Sequence, residues 1–179
     1  MNTKKLTVTA MGVALFVVLT MCLQVPVFEN YYLCLGYVVM MVYCFYFGAF
    51  SAMTVGFLGV VLYCVLTNGL RGMPGWAVGN LVIGLLVSMA CEKTAGMEKQ
   101  WLRWGIIGVV MVAATALGIL GVKSFVEMVL YAQPMPVRVA KNVYAFVADV
   151  AIMWLSLPVC VSLEKTVKKL GLTGTHSGP

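Results

Sequence analysis

Within AFVADVAIMWLSLPV, Asp149 is the only acidic side chain set well inside an apolar run. If that run crosses a bilayer, the carboxylate costs about 2.5–3.5 kcal/mol near the centre, and such groups face a cavity or a partner. Asn142, Asp149 and Ser156 are seven apart, so a helix carries them on one face with little angular drift. That stripe can bind a polar ligand. Its alternative is structural, with Asp149 paired to Lys123, Arg138 or Lys141.

A second group lies in TNGLRGMPGWAVGN. Trp76 and Asn80 are four apart and project from the same side of a helix. An indole and an amide so placed can stack on a flat heterocycle and hydrogen-bond its edge. They also suit an interfacial anchor and an interhelical bond. Arg71 can hold an anionic group or reach for lipid headgroups. Asn30, Tyr31, Tyr32 and Tyr131 add polar tips on the same side. In TAMGVAL, Ala10 and Ala14 flank Gly12, a small-residue pattern that lets another helix approach closely, within this chain or on a partner subunit.

No chemistry beyond binding is visible. The chain has no phosphate-binding P-loop, no G-x-S-x-G, no H-E-x-x-H and no paired carboxylates, so it is expected neither to hydrolyse ATP nor to catalyse. Cys22, Cys34, Cys44, Cys64, Cys91 and Cys160 form no C-x-x-C pair and read as small packing residues. The single histidine, His176, sits in a polar tail at about 171–179. No metal or cofactor is expected.

These groups must be positioned by membrane helices. Hydrophobic residues make up 62% of the 179, charged residues 10%, and the mean hydropathy is +0.99, which leaves too few polar side chains to coat a soluble domain. The net charge of +6 is therefore not a nucleic-acid signal. Six apolar segments, about 6–28, 35–50, 51–67, 75–92, 102–122 and 142–163, predict one all-α membrane domain spanning 1–179 with six transmembrane helices. The first segment is too long for a signal-peptide core and lacks an A-x-A site. Gly48 and Ser51 are the expected turn residues between the second and third helices. Between the fifth and sixth, KSFVEMVLYAQPMPVRVAKN predicts a short helix and then a rigid proline segment folding back over the bundle.

Lysine and arginine placement gives the orientation. With both termini cytoplasmic, that side holds Lys4, Lys5, Lys93, Lys99, Arg103, Lys165, Lys168 and Lys169, against Arg71, Lys123, Arg138 and Lys141 outside, eight to four. Trp101 and Trp104 then fit an interfacial anchor on the inner side. The polar loops fall outside.

A basic N-terminus, TAMGVAL, six helices, RGMPGWAVGN and AFVADVAIMWLSLPV together resemble the substrate-binding S components of energy-coupling factor (ECF) transporters. The resemblance covers essentially the whole chain. It implies capture of a vitamin or related micronutrient from outside, using loops one, three and five with helices four to six. It further implies docking through the first helix onto a transmembrane coupling subunit that carries two ATPases, in a bacterial plasma membrane. Ala10 and Ala14 match the docking motif, and Trp76, Asn80, Asn142 and Asp149 fall where the pocket is expected, with Arg71, Tyr31 and Tyr131 as further candidates. Many relatives of this type carry asparagine where this chain has Asp149; an ionised Asp149 facing the pocket suggests an amine-bearing heterocycle, and tight binding of a neutral flavin-like substrate would count against that expectation. Two other classes compete. A structural or assembly protein leaves Asp149, Trp76 and Asn80 unexplained, and a membrane enzyme lacks a catalytic constellation.

Overall fold

The computed structural model describes residues 3–22, 26–28, 31–70 and 72–169, without the side chains of 26–28, 31, 32, 164, 165 and 168. Arg71, Asn30, His176 and the side chains of Tyr31 and Tyr32 therefore lie outside the described residues. The helices are α1 (Thr3–Cys22), α2 (Gly36–Tyr46), α3 (Ala49–Leu66), α4 (Met73–Thr94), α5 (Gln100–Thr115), α6 (Ser124–Tyr131) and α7 (Met135–Lys169). A π-helical segment, Ala116–Lys123, joins α5 to α6. Two short antiparallel strands, β1 (Pro26–Phe28) and β2 (Tyr31–Tyr32), precede α2 and depart from a purely helical chain.

Five helical runs are long and apolar enough to cross a membrane, the α5–α6 run counting as one. The sixth, α2, has only 11 residues, about 17 Å at 1.5 Å per residue, roughly half a hydrocarbon layer. Three sequence expectations are corrected. The first helix, described over Thr3–Cys22, does not reach Phe28, because Pro26–Phe28 form β1. Gly48 makes the α2–α3 turn with φ 80 and ψ 171, a conformation open only to glycine, whereas Ser51 is already inside α3. The short helix expected after Lys123 is present as α6, and it follows the π segment without a break in one span with α5. The prolines do not fold back: Ala132 ends α6 in the left-handed region, and the Pro134 carbonyl accepts the first amide bonds of α7. Pro136 sits in the first turn of that helix, where its missing N–H costs nothing.

Contacts along the helices show that they alternate in direction. Thr9 meets Ser51 and Tyr46 reaches the Cys160 carbonyl at one end, while Thr20 meets Cys34 and Trp76 meets Tyr63 at the other. The first residues of α1 and the last of α7 thus share an end. Trp101 is exposed there, but Trp104 packs inward, stacked on Phe45 at 5.5 Å. Leu15, Val18, Leu62, Val109 and Leu155 are exposed on the outside, as lipid-facing residues must be.

Between helices in lipid, apolar side chains gain little from each other over lipid tails, so close backbone approach has to hold the bundle. Glycine supplies it. A methyl on Gly79 would stand 2.7 Å from the Gly118 carbonyl, and one on Gly118 2.8 Å from the Gly79 carbonyl, so α4 and the π segment touch backbone to backbone. Gly12 faces the Tyr43 ring, Gly36 faces Phe16 and Thr20, and Gly59 faces Phe16 with equally little room. Gly105 has open space. Gly79→Ala is therefore expected to cost about 1–3 kcal/mol, seen as a lowered unfolding temperature in detergent, while Gly105→Ala leaves it unchanged or raises it. Equal behaviour of the two variants would contradict this packing.

A buried polar layer at one end of the bundle

The site is built on Tyr37, at the start of α2 and fully buried. The Trp76 indole N–H donates to its hydroxyl at 3.0 Å, and that hydroxyl donates to Asn80 Oδ1 at 2.8 Å. Asn80 Nδ2 in turn donates to the Gly56 carbonyl at 3.2 Å. The direction of this chain is forced, because indole nitrogen only donates and a carbonyl only accepts. Gly56 stands near the middle of the 18-residue α3, so the chain runs from one end of the bundle to its mid-depth. Asp149, buried on α7, lies beside this group.

A second cluster adjoins it. Lys123, at the end of the π segment, is buried and is the charge acting most strongly on Asp149. It also faces Glu127 one turn on, and Arg138 Nη1 lies 3.6 Å from Glu127 Oε2. Asn142 Nδ2 donates to Ser124 Oγ at 2.9 Å and to Glu127 Oε2 at 3.2 Å, fastening α7 to α6. The cluster holds two basic side chains, Lys123 and Arg138, and two carboxyl groups, Glu127 and Asp149, with the ion pair between Arg138 and Glu127. Wide turns of π type recur at functional positions. Here one ends at Lys123, whose stem packs against Gly75 of α4, where an added methyl would meet Lys123 Cγ at 3.1 Å. Cys34, in the connection before α2, has its thiol pushed up to about 12, chiefly by burial and then by the Asp149 charge.

Most of the residues picked out in the sequence thus come together, though not as an open wall. Asn142, Asp149 and Ser156 are all buried on one face of α7, but Ser156 bonds back to the Met153 carbonyl and stands apart from the cluster. Asn80 is fully buried and makes the interhelical bonds, while Trp76 is partly buried, edge-on to Tyr63 at 5.8 Å. Tyr131 lies under the Arg138 guanidinium at 5.1 Å, on the rim. Arg71 and the Tyr31 side chain, being outside the described residues, have no place in this geometry. Ala10 and Ala14 are exposed on α1, with Gly12 turned inward between them. Sequence reasoning missed Tyr37, one of several tyrosines in an apolar run, and Glu127, whose four-residue spacing from Lys123 was the available signal. Lys123 was counted as an outer-loop cation, yet it stands in a helical segment with its side chain inside the bundle.

The fold and this layer define a multi-pass membrane protein that concentrates hydrogen-bonding groups inside one half of its helix bundle. A sequence model of the family described as ECF-type riboflavin transporter, S component, matches residues 1–165, and the chain belongs to that family. It is accordingly the substrate-binding membrane subunit of an ECF transporter and not an enzyme. No curated protein and no solved structure matches it.

Removing Lys123 leaves two buried carboxylates against one cation. Lys123→Met is expected to destabilise the fold by about 3–5 kcal/mol, and the double variant Lys123→Met/Asp149→Asn to recover more than half of that loss. Thermal unfolding of both variants in one detergent measures the difference; additive losses would contradict the charge balance.

Proposed function

We propose that this subunit captures a flavin from outside the cell and delivers it through a separate transmembrane coupling subunit driven by two ATPases. The observation that carries the reading is the hydrogen-bonded chain of Trp76, Tyr37 and Asn80, with Asp149 buried beside it, in a member of a riboflavin-transporter family. A flavin ring is flat, with donors and acceptors on its pyrimidine edge. Trp76, partly exposed at the start of α4, supplies a stacking surface, and the amide and carboxyl groups behind it supply the polar complement.

The case for an amine-bearing ligand weakens at Asp149. Lys123 is a basic group of the chain itself close to that buried carboxyl, so Asp149 does not by itself call for a cation on the ligand, and a neutral heterocycle of the riboflavin type suits the site. The basic residues support cytoplasmic termini, eight against three once the buried Lys123 is left out, which puts the polar layer on the outer side. Exposed Ala10 and Ala14 on α1 suit docking to the coupling subunit.

Titrating the purified chain with riboflavin tests this reading. One flavin is expected to bind per chain with quenching of its fluorescence, and Trp76→Ala to weaken binding at least tenfold, about 1.4 kcal/mol. A folded chain that binds no riboflavin and shows no thermal shift with it would return the structural reading to first place.

A further inference from the structure

We infer that α2 is a rigid connector through which occupancy of the polar layer is felt at the exposed face of α1, with Tyr37 as its receiving end and Tyr43 as its delivering end. This rests on the proposed flavin-binding role of the layer.

Three observations support it. First, Tyr37 joins Trp76 to Asn80, because its hydroxyl accepts a hydrogen bond from the Trp76 indole N–H and donates one to Asn80 Oδ1. A ligand that competes for the Trp76 N–H or for the Asn80 amide alters the bonding of that hydroxyl. Second, α2 is too short and too tightly held to absorb the change by bending. It is a single 11-residue helix, buried along most of its length, with Gly36 pressed against Phe16 and Thr20 of α1. Phe16 also meets the Tyr37 ring edge-on at 6.4 Å. Third, its other end is locked into α1. The Tyr43 hydroxyl donates to the Val8 carbonyl, and its ring fills the notch at Gly12, where a methyl would stand 2.4 Å from the ring. Packed contacts of this kind pass on a displacement rather than dissipate it.

The geometry on α1 gives that displacement a consequence. Gly12 and Val8 bracket Ala10 in sequence, and Ala10 and Ala14 lie on the exposed side with Leu6, Met11 and Leu15. A shift of Tyr43 in its notch therefore moves the backbone that carries the small-residue face. Tyr43 is a positioning residue in this account: it lies two helical turns from Tyr37 and bonds to none of Trp76, Asn80 or Asp149.

The test is amide hydrogen exchange along α1 of the full chain in nanodiscs, with and without riboflavin, for the parent and for Tyr43→Phe. That variant keeps the ring in the notch and removes only the bond to Val8. In the parent, riboflavin is expected to change exchange at residues 8–14 at least twofold. In Tyr43→Phe the change is expected to vanish while riboflavin affinity stays within threefold of the parent. Flavin bound by the parent with no change on α1, an undiminished change in Tyr43→Phe, or loss of flavin affinity in that variant would each overturn the inference. A parent chain that does not bind riboflavin at all overturns the functional reading itself and takes the inference with it.

Discussion

A tyrosine hydroxyl buried among lipid-spanning helices has to be satisfied by protein, since no water is on hand to bond it. Tyr37, on α2, meets that requirement with an indole donor and an amide acceptor from α4, and the amide is itself anchored to α3, so three helices are joined through one hydroxyl. Everything else in the site is arranged around this convergence. The short α2 exists to set Tyr37 inside the bundle rather than at its surface. The two strands before it occupy chain that a full-length helix would otherwise have taken.

Bringing three helices to one hydroxyl demands short interhelical distances, and glycine sets them. Gly79 and Gly118 allow α4 to lie directly on the π segment, and Gly75 receives the Lys123 stem one turn further along. The extra residue per turn in a π helix shifts the facing of the residues that follow. Lys123, Ser124 and Glu127, which follow or end the segment, are all buried, and they meet Asn142 and Asp149 on α7. Buried charges are expensive singly and tolerable in balanced groups. Here two basic side chains stand with two carboxyl groups, and Arg138 pairs with Glu127.

Much of this was legible in the sequence, and what was not has physical reasons. Helix number and the burial of the Asn142–Asp149–Ser156 face follow from hydropathy and a seven-residue spacing. So does the shared side of Trp76 and Asn80. The π segment was invisible, because ALGILGVK is as apolar as any α-helical stretch and only its packing on Gly79 distinguishes it. The prolines at 134 and 136 were read as a barrier to helix, although at a first turn they start one. Tyr37 lay hidden in GYVVMMVY, since nothing local says which tyrosine will meet an indole 39 positions away. The exposed small-residue face of α1 was visible, but its inward neighbour Gly12 acquires meaning only from the Tyr43 ring set against it.

The central claim is that the layer around Tyr37 is where the substrate sits. Photolabelling the chain with an aryl-azide flavin, followed by peptide mapping, tests it most directly. The account predicts adducts on the first two turns of α4 and on α7 around Asp149, suppressed by excess riboflavin. Riboflavin-protected adducts confined to the opposite end, around Cys91 and Trp104, would contradict it.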